Sequence, residues 1–158
     1  MDGTMWRLLK LLQEDARQSF RQIGEAIGLT APAVAERARR LEDAGVIRGY
    51  HAEIDLPKAG LPIMAFVHLV SNSPQSVAFR KAVHDMPEVI ECHCVTGIES
   101  YILKVACTSV PHLEHFLLEL KDYGDMRTSL VLSSQVSRRV IDEWSLHPDE
   151  ERPKTPLR

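Results

Sequence analysis

The stretch "ECHCVTGIESY", residues 91–101, concentrates side chains that could do chemistry. Cys92, His93 and Cys94 are potential metal ligands or redox groups. In a strand, however, neighbouring side chains point to opposite faces, so one metal cannot take all three without breaking the strand. A Cys-x-Cys pair also lacks the spaced second pair of a structural zinc site. The pattern favours buried thiols: Cys92 and Cys94 on the core face with Ile90, and His93 on the other face.

The remaining candidate ligands and nucleophiles are scattered. His112 and His115 are three residues apart on a predicted helix, a pair that could bind metal weakly but more often lies on a solvated face. The chain has 3 cysteines, and this odd number favours a reducing cytoplasm over a secreted disulfide framework. No serine–histidine–aspartate set, P-loop or dinucleotide fingerprint is present. We therefore predict no catalytic residue, no metal and no cofactor, and a protein that is not an enzyme.

Bulk properties point to a globular chain with a substantial core. Its 158 residues suffice for one ordinary domain or two small ones, and 44% of them are hydrophobic. The 18-residue apolar run of a membrane helix is absent from the sequence. Residues 1–50 hold 8 Lys and Arg against 7 Asp and Glu, a charge of +1, whereas the rest hold 11 against 15, a charge of −4. This mild asymmetry is in the direction that a DNA-reading N-terminal part needs.

Helical periodicity dominates the first 50 residues. In "TMWRLLKLLQED" the apolar residues recur at i, i+3, i+4 and i+7, which predicts a first helix with Thr4 as its N-cap. In "SFRQIGEAIGL", Ser19 and Gln22 form a capping-box pattern, and Gly28 marks the end of the second helix. The apolar stripes of these two helices consist of Met5, Leu8, Leu9 and Leu12, and of Phe20, Ile23 and Ile27.

A third helix is predicted in "TAPAVAERARRLEDAGVI", from an N-cap at Thr30 to an end at Gly45. Two helices joined by a tight turn at Gly28–Leu29 predict a helix-turn-helix, with arginines able to reach phosphates or guanine edges. An ordinary three-helix bundle with a solvated charged face is the alternative. The narrow inward stripe holds Val34, Ala38 and Leu41, and the opposite side holds Pro32, Ala33, Glu36, Arg39 and Arg40 with Arg37 on the flank.

The pattern changes near residue 50. Residues 46–54 predict a short strand, and "DLPKAGLP" predicts a linker. From residue 62 the predicted order is strand 62–71, helix 75–85, strand 88–96, strand 101–108, helix 111–123 and strand 126–136. The fold class is therefore α+β: an N-terminal helix-turn-helix domain, winged-helix-like, and a C-terminal ferredoxin-like βαββαβ domain. The predicted domains are 1–50, a connecting strand and linker at 51–61, the ferredoxin-like domain at 62–140, and a mobile polar tail at 141–158.

Both faces of the predicted sheet are rich in apolar residues. Strand 62–71 places Ala65, Val67 and Leu69 on one face, and Phe66 and His68 on the other. Helices can cover only one face of such a sheet, so the other face is expected to meet a second subunit. The sequence therefore predicts a homodimer, with Phe66, His68 and His93 at its interface.

Three motifs in combination carry a family resemblance. They are "GLT" with "ERARRLEDAGVI", "GYHAEID" in the connecting segment, and "ECHCVTGIESYILKV" across the sheet turn. Over about residues 2–140 the chain resembles the Lrp/AsnC, or feast/famine, family of bacterial and archaeal transcription regulators. The resemblance implies a cytoplasmic, sequence-specific regulator of double-stranded DNA. It also implies dimers that assemble into octamers or similar rings, and an amino acid or related metabolite bound between subunits of the C-terminal domain.

The resemblance also assigns residues. The family's DNA-reading positions correspond to Thr30, Pro32, Ala33, Glu36, Arg37 and Arg40. Arg48 and Tyr50 lie in the segment that pairs or packs across the dimer. The effector loop corresponds to Val95, Thr96, Gly97, Ile98, Glu99, Ser100 and Tyr101.

The effector loop departs from the family pattern. The family often has Gly-Asp-x-Asp-Tyr here, whereas this chain has Ile98 and Ser100 in place of the two aspartates. Glu99 lies one position away and is expected to point elsewhere. Two alternatives to a ligand-responsive regulator therefore stay open: an architectural protein that wraps DNA without sensing a ligand, and an enzyme similar to the sirohaem decarboxylases, which share this two-domain frame.

Overall fold

The computed structural model describes residues 1–146, which form two compact units. The first unit comprises Met1–Ala52 together with the described residues from Val136 on, and the second comprises Glu53–Gln135. The predictions for residues 147–158, the polar end of the chain, lie outside the described residues. Between residues 1 and 146, no helix combines the length and the apolar character needed to span a membrane.

Three helices build the first unit: α1 (Gly3–Glu14), α2 (Phe20–Ile27) and α3 (Ala31–Asp43). The predicted caps of α2 and α3 are confirmed, since Ser19 and Gln22 form a reciprocal capping box and the Thr30 side chain accepts from the Ala33 amide. The prediction of Thr4 as the cap of α1 is wrong. Asp2 takes that place, and its carboxylate accepts from the Met5 amide at 2.8 Å. The buried core consists of Leu8, Leu9, Leu12, Ile23, Ile27, Val34, Ala38 and Leu41.

A tight turn sets α2 against α3. Gly28 ends α2 in the left-handed region with φ 74°, a conformation that costs glycine little. Gly24 faces the same turn, where a Cβ would lie only 2.4 Å from the Leu29 carbonyl oxygen. The absence of a side chain at position 24 therefore allows α2 to pack against the start of α3.

Residues 46–54 do not form the predicted strand. A strand is stabilised by the ladder of hydrogen bonds to a neighbouring strand, and no strand lies within the described part of the first unit. The alternation of side chains in this segment is thus insufficient to order it as a strand in a single chain.

The second unit is a four-stranded antiparallel sheet with helices on one face. Along the chain it contains β1 (Ile63–Val70), α4 (Ser73–Ala82), β2 (Val89–Cys94), β3 (Tyr101–Cys107), α5 (Val110–Leu120) and β4 (Asp125–Leu130). The strand order is β2-β3-β1-β4, and all three pairings are antiparallel. This order confirms the predicted ferredoxin-like βαββαβ domain.

The last strand is shorter than predicted. β4 ends at Leu130, and one further hydrogen bond joins the Val131 amide to the Met64 carbonyl at 2.9 Å. The partner strand β1 begins at Ile63. Residues after 132 therefore run past the end of their partner, and the ladder stops before the predicted limit of 136.

A β-bulge changes the predicted facing of β2. The register shifts between Val89 and Glu91, so Ile90 is 45% exposed instead of facing the core. Cys92 packs against the core as predicted. Cys94 lies on the same side, opposite Tyr101, but the prediction that it is buried is wrong, because its thiol is exposed at the end of the strand. The buried core of this unit consists of Ala65, Val67, Leu69, Phe79, Tyr101, Leu103, Val105, Cys107, Leu113, Phe116 and Leu120.

Replacement of Gly24 by alanine tests the packing of α2 on α3. Helix propensity alone would favour alanine by about 1 kcal/mol, but the new Cβ clashes with the Leu29 backbone. We expect Gly24→Ala to lower the free energy of unfolding by about 1–3 kcal/mol, measured by urea denaturation. The control is Gly3→Ala, because a Cβ there lies 3.8 Å from its nearest neighbour. Equal stability of the two variants would contradict the close packing.

Candidate DNA-reading helix and effector loop

Helix α3 has one buried side and one exposed side. Val34, Ala38 and Leu41 face the core. All six predicted DNA-reading residues lie on α3 or at its cap, and none of them is buried. The Thr30 hydroxyl is engaged as the cap at 3.4 Å from the Ala33 nitrogen. The structure thus brings these residues together at the start and along the exposed side of one helix: Thr30, Pro32, Ala33, Glu36, Arg37 and Arg40.

Glu36 is the centre of an ion-pair cluster on that side. Its carboxylate accepts from Arg39 at 3.1 Å and from Arg40 at 3.0 Å. The hydrogen bond from Arg39, then that from Arg40, lowers the pKa of Glu36. Arg39 also pairs with Asp43 at 3.0 Å. An incoming phosphate would compete with Glu36 for the same guanidinium groups.

The face of the sheet opposite the helices carries the predicted interface residues. The pairing registers place His93, Ile102, His68 and Arg127 in one row across the four strands. A second row contains Glu91, Lys104, Phe66 and Ser129. Phe66 is 38% exposed although it lies on a central strand of the sheet. This face is therefore a mixed surface, on which Phe66 and Ile102 lie on the central strands beside His68 and Lys104.

Of the other two predicted interface residues, Arg48 is exposed on the first unit. Tyr50 donates from its hydroxyl to Glu42 at 2.8 Å. Loss of water around the hydroxyl, followed by the contact with Glu42, raises the pKa of Tyr50 to about 12. Tyr50 is therefore a neutral hydrogen-bond donor over the physiological range.

The predicted effector loop is fastened by Ser100. The Ser100 amide donates to the Leu69 carbonyl at 2.8 Å, and the Val95 amide donates to the Ser100 carbonyl at 3.1 Å. The Ser100 hydroxyl accepts from the Ser71 amide at 3.0 Å and donates to the Ser71 carbonyl at 3.2 Å. The Ser100 side chain thus ties the loop to the end of β1.

Glu99 is the acid that the loop presents. Its carboxylate accepts from Arg127 at 2.9 Å and lies 3.9 Å from Nδ1 of His68. That nitrogen is buried and has no hydrogen-bond partner among the described residues. The three side chains form a polar cluster on the margin of the uncovered sheet face.

The other loop residues divide by exposure. Ile98 is 85% exposed, Thr96 is exposed and Val95 is partly buried. Gly97 has φ 120°, in the region that favours glycine. Tyr101 is buried, with its hydroxyl 2.6 Å from that of Ser76 and its ring 4.8 Å from Phe79. Tyr101 therefore anchors the loop, and Ile98 is its most accessible side chain.

Two family models match this chain, one in each unit. The model described as the AsnC-type helix-turn-helix domain matches residues 1–42, and the model described as the Lrp/AsnC ligand binding domain matches residues 64–141. The chain belongs to the Lrp/AsnC family. It is accordingly a DNA-binding transcriptional regulator with a ligand-binding domain.

Relatives that are similar over most of the chain support the same family. This chain is 39% identical to the HTH-type transcriptional regulator YezC of Bacillus subtilis over 134 residues. The aligned region covers 85% of this chain and 95% of YezC. The structure of LrpC from B. subtilis has a TM-score of 0.83 at 28% identity and covers 87% of this chain and 99% of that one. A Neisseria meningitidis regulator, NMB0573, solved as its L-Met complex, has a TM-score of 0.85 at 28% identity and covers 92% and 99%.

His112 and His115 contact different carboxylates. Nδ1 of His112 accepts from the Thr108 amide at 3.3 Å, and its Nε2 lies 2.9 Å from Glu88. His115 pairs instead with Glu119 at 3.2 Å. Among residues 1–146, no three His, Cys, Asp or Glu side chains are grouped as metal ligands would be.

The sequence does not single out several residues that the structure places beside the loop and on α3. Arg127 lies on β4, far from Glu99 in the chain, and only the register that places it beside His68 reveals the pairing. Ser71 has no motif to distinguish it. The sequence places Arg39 on the exposed side of α3 but not among the DNA-reading residues. Its side chain is exposed and pairs with Glu36, as that of Arg40 does.

Ser100→Ala removes both hydrogen bonds to Ser71 and leaves that backbone without its partner. We expect the free energy of unfolding to fall by about 1–3 kcal/mol, and the amide of Ser71 to exchange faster with solvent. The control is Ser134→Ala, at an exposed serine beyond the end of β4, which should be close to neutral. Wild-type exchange at Ser71 in the Ser100 variant would contradict the fastening role of this hydroxyl.

Proposed function

We propose that this Lrp/AsnC regulator acts as a homodimer that inserts α3 of each subunit into the major groove of double-stranded DNA. The observation that carries the proposal is the amphipathic character of α3. Its core side is apolar, whereas its exposed side has small side chains in the first turn and arginines further along. Small residues at the start of a helix permit close approach to a groove. Such a regulator works in the cytoplasm and needs no catalytic residue.

The arginines of α3 supply the contacts to DNA in this proposal. Arg37 is held along the helix by a bond to the Ala33 carbonyl at 3.3 Å, and Arg40 is 63% exposed. Binding exchanges the bonds to Glu36 for bonds to phosphates or guanine edges, and it releases counterions, so affinity falls steeply with salt. Glu36 itself accepts hydrogen bonds and suits a cytosine amino group.

Arg40→Ala tests this assignment. The probe is a duplex selected from a random library for binding to the wild-type protein. We expect the variant to lose about 1–3 kcal/mol of binding free energy if Arg40 reads a guanine, measured by gel shift at fixed salt. Arg80→Ala, on an exposed side of α4, is the control and should bind like the wild type. Undiminished affinity of the Arg40 variant would reject the role.

The uncovered sheet face supports the homodimer of the proposal. Phe66, His68 and His93 lie on it, and stacking two copies would bury Phe66, which is 38% exposed in the single chain. Arg48 and Tyr50 belong to the segment that failed to form a strand in one chain, and a second copy can supply the missing strand partner. Larger rings of dimers, such as octamers, are part of the same proposal and rest on the family alone.

Phe66→Asp places a carboxylate at the centre of this face. Burial of an unpaired charge is unfavourable enough to prevent association, so we expect a monomer in light scattering. Val77→Asp is the matched control, because Val77 is 48% exposed on α4 and should keep the dimer. A dimer of unchanged mass in the Phe66 variant would show that subunits meet elsewhere.

An amino acid is the proposed effector, bound at the Glu99–Arg127 pair. The two side chains present opposite charges 2.9 Å apart, and a zwitterion carries the complementary ammonium and carboxylate. The L-Met complex of the Neisseria relative supports this ligand class. An architectural, ligand-free protein is the second candidate, favoured by the exposed Ile98 and by the internal use of the Ser100 hydroxyl.

Calorimetric titration with the standard amino acids, L-Met included, separates these candidates. We expect at least one of them to bind the wild type, and Glu99→Gln to weaken binding about tenfold through loss of a charge-assisted bond. Glu91→Gln is the control, since Glu91 pairs with Lys104 at 2.9 Å on the same face. Absence of heat with every amino acid would favour the architectural candidate.

A further inference from the structure

The segment that follows the sheet returns to the first unit and binds α1 through Gln13. The Gln13 amide group donates from Nε2 to the Ile141 carbonyl at 2.8 Å, and its Oε1 accepts from the Ile141 amide at 3.0 Å. One side chain thus satisfies both backbone groups of one residue. Glutamine is suited to this task because its amide both donates and accepts.

A further hydrogen bond strengthens the contact. Arg138 donates from Nη2 to the Gln13 backbone carbonyl at 3.2 Å. That carbonyl lies in the last turn of α1, where helix carbonyls lack partners within the helix and a cation is favourable. Gln13 also lies next to Leu12 and donates to the Leu9 carbonyl at 3.1 Å, so the contact is made on the helix that closes the three-helix core.

The connectivity gives this contact its significance. The chain leaves the first unit after Ala52 and re-enters it at Val136. Two covalent connections therefore join the DNA-binding unit to the ligand-binding unit. The second one is short: β4 ends at Leu130, and residues 131–135 alone separate it from the returning segment.

We propose that residues 138–141 form a second tether, docked on α1 by Gln13, that transmits changes in β4 to the DNA-reading unit. Arg127 lies on β4 and pairs with Glu99 of the effector loop. A ligand that competes for Glu99 releases or redirects Arg127, and the strand that carries Arg127 continues directly into the tether. The docking stands on the hydrogen bonds alone, whereas its regulatory meaning rests on the proposed effector role of the loop.

Amide hydrogen exchange on the full-length protein tests the docking. In Gln13→Ala the Ile141 amide loses its acceptor, and we expect it to exchange at least about tenfold faster than in the wild type, the factor that corresponds to about 1.4 kcal/mol. Gln13→Glu keeps an acceptor but loses the donor, so a smaller acceleration is expected. Gln18→Ala is the matched control. Unchanged exchange at Ile141 in both Gln13 variants would overturn the docking.

Transmission is tested by a variant remote in sequence from α1. Arg127→Ala should accelerate exchange at the Ile141 amide, whereas Arg80→Ala should not. Wild-type exchange at Ile141 in the Arg127 variant would overturn the transmission and leave the tether with a structural role only. Neither readout uses DNA or a ligand, so a failure here is distinct from a failure of the DNA-binding or amino-acid proposals, which the gel shift and the calorimetry report.

Discussion

A four-stranded sheet with helices on one face leaves its second face exposed, and apolar side chains on that face are unfavourable in water. In this protein that side contains Phe66 at its centre, with His68, Glu91 and Lys104 around it. Helices α4 and α5 pack on the opposite face through Phe79 and Phe116, and in our proposal a second copy of the chain covers Phe66. This constraint links the proposed dimer, the effector loop at the margin of the same face, and the two copies of α3 that a dimer would present to DNA.

Short-range physics made the helical part predictable. The 3.6-residue period identified the buried side of α3, and local hydrogen-bonding side chains identified the caps at Ser19 and Thr30. The one misplaced cap, Thr4 instead of Asp2, shows the limit of such signals, since both residue types cap helices well. The order of elements in the ferredoxin-like unit is equally predictable. Apolar alternation marks the strands, and Pro74 and Pro111 lie in the first turns of α4 and α5.

Features that depend on long-range register were not accessible. A single bulge moves Ile90 away from the core face, and no local pattern distinguishes a bulged strand from a regular one. The pairing of Glu99 with Arg127 joins residues from a loop and a distant edge strand. The segment 46–54 shows the converse: its strand-like pattern is real, but a strand exists only with a partner to complete its hydrogen bonds.

In the proposed complex, a dimer reads DNA with two copies of α3. Hydroxyl-radical footprinting of the wild-type protein on a selected duplex tests it most directly, because the footprint reports the spacing of the two contacts. The account predicts two protected patches on one side of the duplex, separated by one helical turn of about 10–10.5 base pairs or a multiple of it. A single patch, or uniform protection without a turn-length repeat, would contradict it.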